Sequence, residues 1–296
     1  MDQLKNAIKI NKPNISNSSV NTYYSILKNL YKKVYNDDKY ELTKFNDTTK
    51  ILNYLKDIVP NKRKTILASL VVLTNNRIYQ EKMIEDIDAY KTDIAKQTMT
   101  PEQSNNSLKT DDIVDLYNIL KHNANIIYKK KVLDKSDFQD IQNYIIICLL
   151  GGIFIPPRRS KDYVDFKING DIIEDKDNYI HKKKLIFNSY KTAKTYARQE
   201  IDCPPELLRI LKKWIKINPT HYLLFDNNLN KLSNVKLTQR LNKLFNKNAS
   251  VNQLRHTYLS DKYQDTIETN KQLNKDMSDM GSSIAQQKIY IKSPLH

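Results

Sequence analysis

Apolar residues in the first third of the chain recur at helical spacing. Val20, Tyr23, Tyr24, Leu27, Leu30, Tyr31 and Val34 fall on one face, and Ser18-Ser19 stand where such a helix needs a cap. Residues 48–58 and 62–74 repeat the pattern, the second opening with Lys62-Arg63-Lys64 before Ile66, Leu67 and Leu70. Another segment runs from about Ile78 to Gln97 on Met83, Ile84, Ile87, Tyr90 and Ile94. These short amphipathic helices predict a small all-α domain over residues 1–97. Residues 98–108 (TMTPEQSNNSL) carry Pro, Ser and Asn without periodicity and read as a linker.

Beyond the linker, Asp111-Asp112 begin a helix through about Lys131, and Ser136-Asp137 begin another that runs into Tyr144-Ile145-Ile146-Ile147-Cys148-Leu149-Leu150. The latter is apolar nearly all round, which predicts a central buried helix. Between residues 163 and 203 the pattern changes. Segments 178–190 and 197–203 read as extended, with Lys191–Thr195 as the turn region of a hairpin. After Pro204-Pro205, helices are predicted at 206–217, 233–247, 250–265, 268–278 and 283–290. The expected fold is mainly α with a small antiparallel β-sheet (α+β), the second domain covering residues 109–296.

Charge narrows the choice of partner. The chain has 49 Lys+Arg against 33 Asp+Glu, a net charge of +16, and the excess runs through both halves rather than forming a tail. Double-stranded DNA gripped along the protein's length fits this distribution. Asn, Lys, Ile and Tyr share AT-rich codons, so genome composition is a second source of the lysine excess. The two cysteines, Cys148 and Cys203, have neither metal-ligand spacing nor the makings of a disulfide framework. No metal or other cofactor is predicted. The first residues lack an apolar signal core and no run approaches the length of a membrane span. An intracellular protein acting at DNA, with no membrane partner, is the expectation.

Four segments carry residues suited to phosphate chemistry. In Pro156-Pro157-Arg158-Arg159-Ser160-Lys161-Asp162, two prolines hold the entry extended and an arginine follows whose rigid fork suits bidentate phosphate binding. The competing reading is a surface arginine paired with Asp162. Lys191 and Lys194 would sit on a protruding hairpin, where a lysine can reach a groove and protonate a leaving oxygen; a plain solvated turn is the alternative. Arg255 lies in an amphipathic helix with Val251, Leu254 and Tyr258 inward. Tyr290 is one of 19 tyrosines, and a phenol of pKa about 10 is only roughly one part in a thousand ionised at neutral pH. It needs cations beside it to act as a nucleophile.

In this order the segments resemble the tyrosine recombinase (phage-integrase) family. Pro157-Arg158-Arg159-Ser160-Lys161-Asp162 is similar to the family's G-x-R-x-S-E, with Arg159 in the arginine position because Tyr163 and Phe166 then occupy its apolar positions. Lys191 and Lys194 resemble the G-K-x-x-K turn. Asn252-Gln253-Leu254-Arg255-His256-Thr257 resembles H-x-L-R-H-T, and Met280-Gly281-Ser282-Ser283-Ile284 followed by Tyr290 resembles L-G-H-S-S-I…Y. Asn252 and Ser282 depart from the family's histidine and from its histidine or tryptophan. They keep a hydrogen-bond donor but cannot accept a proton as imidazole does.

The resemblance implies a two-domain clamp, a helical core-binding domain followed by a catalytic domain. It also implies that Tyr290 attacks a backbone phosphate, forming a 3′-phosphotyrosyl link, while Lys191, or Lys194 in its place, protonates the leaving 5′ oxygen. Arg159 and Arg255 would neutralise the phosphate, helped by Asn252 and Ser282, while His256 would be structural. Lys62, Arg63, Lys64, Lys194 and Arg198 are the expected DNA contacts. The implied function is integration or excision of a mobile or viral element by a homo-tetramer on DNA. A type IB topoisomerase-like relaxase and a DNA-binding protein with a decayed site are the alternatives. Because only six residues follow Tyr290, any tetramer contact falls to the Tyr290 helix or another surface.

Overall fold

A computed structural model describes residues 2–282. The helix expected at 283–290, and Tyr290 with it, lie outside the described residues. The chain divides into two compact units, Met1–Thr100 and Pro101–His296.

The first unit is helical: α1 (Gln3–Asn11), α2 (Asn17–Tyr35), a 3₁₀ turn (Leu42–Asn46), α3 (Thr48–Leu55), α4 (Pro60–Thr74) and α5 (Arg77–Ala95). Helix α1 is absent from the sequence expectation. Its N-terminus is capped by the Asp2 carboxylate, which accepts the Leu4 N–H at 3.0 Å, and it buries Leu4 and Ile8. They join Leu27, Tyr31, Phe45, Ile51, Leu67, Leu70 and Tyr79 in one core, each such side chain contributing about 1.5–3 kcal/mol of burial. The cap of α2 is Ser16, which accepts the Ser19 N–H at 3.1 Å, rather than Ser18 or Ser19. Helices α2 and α4 end on asparagines in the left-handed conformation, Asn36 and Asn75.

The second unit runs α6 (Pro101–Asn105), α7 (Thr110–Ile127), α8 (Lys135–Leu150), α9 (Ser160–Val164), β1 (Phe166–Lys167), β2 (Asn178–His181), β3 (Lys184–Phe187), α10 (Ala193–Tyr196), β4 (Gln199–Asp202), α11 (Pro205–Ile217), α12 (Asn234–Phe245) and α13 (Val251–Asp279). Helix α8 buries Ile141 and every residue from Tyr144 to Leu150, as its unbroken apolar run requires. Helix α12 ends, like α2 and α4, on a left-handed asparagine, Asn246. Among the described residues no helix is long and apolar enough to cross a membrane.

Several expectations change here. The sheet is mixed, in order β1-β2-β3-β4: β1 pairs parallel with β2, and only β2-β3 and β3-β4 are antiparallel. Segment 178–190 is not one strand, because the chain reverses between β2 and β3 at Lys182, whose φ is +53°. The stretch 98–108 is structured in its second half. It contains α6, buries Leu108 in the second core, and offers the carbonyls of Asn106 and Leu108 to Gln253 Nε2 at 3.0 Å and Thr257 Oγ1 at 3.1 Å. The helices expected at 250–265 and 268–278 form one element, α13, interrupted only at Tyr263 (φ −126°, ψ 21°).

Candidate functional site

Helix α8 ends at Gly151-Gly152, and the following loop delivers Arg158 and Arg159 to the start of α9. Gly152 has φ +76°, and a Cβ there would lie 2.6 Å from Cδ2 of Tyr258 on α13. The missing side chain therefore does two things: it allows the left-handed turn and lets the Tyr258 ring close on the loop. Helix α13 is fixed on its other side by the Gln253 and Thr257 bonds to residues 106–108, while Val251 and Leu254 enter the core. Its start is held by a capping box in which the Ser250 hydroxyl accepts the Gln253 N–H and the Gln253 carbonyl oxygen accepts the Ser250 N–H. Arg255 is left half-buried and without an ion pair among the described residues.

The two adjacent arginines differ sharply. Arg158 Nε donates to Asp162 Oδ2 at 2.9 Å and Nη1 donates to Gln199 Oε1 at 2.8 Å. Its guanidinium carbon lies 4.0 Å from the centre of the Phe187 ring and 5.1 Å from that of Tyr190. It braces α9 to β3 and β4. Arg159, the residue before α9, is half-buried and makes no side-chain ion pair among the described residues.

Asp162 connects these groups. Its carboxylate is buried, 1% exposed, and Oδ1 has no hydrogen-bond partner. Burial raises its pKa above the ordinary carboxylate value, against the charges of Arg158, Arg159 and Arg255, all of which lower it. Arg159 and Arg255, distant in sequence, both act on this carboxylate through their charge, while Arg158 bonds to it directly. Tyr163 and Phe166, the apolar positions that selected Arg159 in the sequence, are 0% and 1% exposed.

The β3–β4 connection is built onto the same framework. Asn178, fully buried, donates to the carbonyls of Asp162 at 3.0 Å and Ser189 at 2.8 Å and accepts the N–H groups of Asn188 and Ser189. The Tyr190 hydroxyl donates to the Ala197 carbonyl at 2.6 Å and closes the base of the loop. Lys191 and Lys194 project from it, both exposed; the tip is the helical turn α10 rather than a tight hairpin turn. Nothing in sequence spacing pointed to Asn178 or Gln199 as the ties that hold this loop.

The remaining expected residues are placed as follows. Asn252 is exposed one turn before Arg255, at i and i+3 on one helical face. His256 is exposed rather than packed. Ser282 follows α13, where Gly281 has φ +69° and the Gly281 and Ser282 N–H groups donate to the carbonyls of Ser278 and Met277, a Schellman ending.

Of the expected DNA contacts, Arg63 is bonded within its own unit. It pairs bidentately with buried Asp86, at 2.8 and 2.6 Å, and donates to the Lys56 carbonyl at 2.9 Å, so its donors are occupied inside the first unit. Lys64 Nζ lies 3.1 Å from the centre of the Tyr90 ring, and Arg198 pairs with Glu200 at 2.9 Å. Lys62 and Lys194 are exposed and make no ion pair among the described residues.

No protein-family model matches the chain and no curated protein matches it. Among solved structures it is similar to the crystal structure of XerA recombinase, at 11% sequence identity and a TM-score of 0.36, over 88% of this chain and 83% of that one. At that identity and score the two chains share too little for an activity to be transferred from one to the other.

Proposed function

We propose that this chain breaks and rejoins DNA through a 3′-phosphotyrosyl intermediate, as a tyrosine-type site-specific recombinase of a mobile or viral element. The observation that carries the proposal is the joint action of Arg159 and Arg255 on the buried Asp162, with the Lys191 loop tied to the same residue through Asn178. Arg158 takes the direct bond to Asp162, so the donors of Arg159 and Arg255, which make no ion pair among the described residues, remain for a further anion. A backbone phosphate suits them, and charge building on its non-bridging oxygens in the transition state would be stabilised by donors already in place.

In this reading the Tyr290 phenol passes its proton to solvent as its oxygen bonds to phosphorus and the bond to the 5′ oxygen breaks. Lys191, or Lys194 in its place, gives its proton to that leaving oxygen. Attack by a 5′-hydroxyl on the phosphotyrosyl ester then restores the phosphodiester and frees the phenol. The bond energy stays in the ester throughout. Lys62 and Lys194 contribute phosphate contacts that position the duplex without reading its sequence. Strand exchange proceeds in a homo-tetramer on two duplexes.

Incubation with a nicked suicide duplex, followed by denaturing electrophoresis, tests the mechanism. A covalent adduct that disappears in Tyr290→Phe is expected; no adduct, or one that survives this substitution, overturns it. Strand exchange between two duplexes separates a recombinase from a relaxase of the topoisomerase IB type. A second reading, a DNA-binding protein whose catalysis has decayed, is favoured by Asn252 and Ser282, which stand where the family resemblance calls for histidine and for histidine or tryptophan. It predicts duplex binding with no adduct.

A further inference from the structure

A cavity of about 180 Å³ opens between α7, α8 and α11, lined by none of the residues assigned to the site above. Its walls carry Lys121, Asn125 and Tyr128 from α7, Tyr144 from α8, and Arg209 and Lys213 from α11. Three cations face it and no carboxylate lines it. Lys121 has a partner, Glu206 at 3.3 Å, whereas Arg209 and Lys213 make no ion pair among the described residues. These two stand at i and i+4 on α11, where like charges repel and weaken a helix. Lys213 Nζ lies 3.8 Å from the centre of the Tyr128 ring. Partial burial, and then Arg209, hold its pKa below the usual lysine value. The Tyr128 hydroxyl is closed off from solvent, toward Cys148, so it is the ring of Tyr128 that lines the cavity.

We propose that this cavity binds a phosphate group, held by the Arg209 fork, Lys213 and Lys121. A dianion or diester relieves the repulsion between Arg209 and Lys213, and arginine offers it two parallel donors. The space suffices, since cavities of about 150 Å³ hold a benzene-sized molecule. The site stands independently of strand transfer. Its phosphate comes either from a small free phosphate compound or from a nucleic-acid backbone.

Two measurements on the full chain separate these sources. One is thermal unfolding in increasing inorganic phosphate, with ionic strength held constant by chloride; the other is duplex DNA affinity across a salt series. Each compares wild type with Arg209→Gln/Lys213→Gln and with Lys213→Gln alone. A free phosphate ligand gives a saturable rise in the wild-type midpoint, abolished in the double variant and reduced in Lys213→Gln. A backbone phosphate gives no such rise, but the slope of log K against log salt becomes shallower by about 2 in the double variant. Variants that match wild type in both measurements overturn the proposal, as does a wild type that responds in neither. Lys213→Gln changes one exposed side chain and keeps the test decisive should the double variant fail to fold.

Discussion

Arg158 commits two nitrogens to Asp162 and Gln199 and lies flat on Phe187, so its removal takes away packing as well as charge. Arg158→Ala leaves the buried Asp162 without its direct partner and is expected to destabilise the fold by about 3–5 kcal/mol, read by denaturant unfolding. Arg159→Ala should leave stability nearly unchanged and slow adduct formation by about 10²–10³-fold, the scale of losing one preorganised donor. Reversed outcomes would exchange the roles of the two arginines. The sequence distinguished them only through the register of Tyr163 and Phe166, whose burial agrees with that register. What separates them physically is a bond to Gln199 on a distant strand, which no local spacing encodes.

At the scale of elements, the seat of α13 depends on Gly152. Gly152→Ala combines a left-handed backbone with a collision against the Tyr258 ring and is expected to cost about 2 kcal/mol or more. Adding Tyr258→Ala should recover only part of it, because the backbone strain remains; full recovery in denaturant melts would show that the collision alone mattered. Helices with long apolar periodicity, such as α2 and α8, were legible because burial and period coincide. Helix α1 was not, since only Leu4 and Ile8 are buried in a polar nonapeptide. The β2–β3 reversal was hidden because it turns through Lys182-Lys183 without Gly, Asn or Asp. Residues 106–108 looked like linker because their contribution is made by backbone carbonyls, which composition does not reveal.

For the whole molecule, carboxylates set the response to acid. Lys130 holds Asp137, Lys236 holds Asp226 and Lys184 holds Glu200 below their ordinary values. Each contributes stability that is present above the unfolded carboxylate pKa of about 4 and is lost as pH falls through the lower folded value. Asp162 runs the other way: burial raises its pKa, so its contribution declines as pH rises through about 4 toward the raised value. Asp2 and Asp177 are lowered as well and Asp140 is raised, so five carboxylates stand against two and the thermal midpoint should fall on acidification below about pH 4. Asp137→Asn/Asp226→Asn should flatten that fall; an unchanged profile would remove these pairs as its cause.

Asn36, Asn75 and Asn246 close three helices in the left-handed conformation, the place where glycine is the usual residue, in a chain that contains four glycines. Every glycine codon begins with two guanines, whereas asparagine is written with two adenines. A coding sequence drifting toward A and T loses the first and gains the second, and asparagine is one of the few other residues that accept this backbone at low cost. Glycine is kept at Gly152, where an aromatic ring fills the space a Cβ would need. Asparagine thus does at three helix ends what Gly281 does at the end of α13, where a Cβ would meet nothing within 4 Å, whereas at Gly152 the geometry has no second solution.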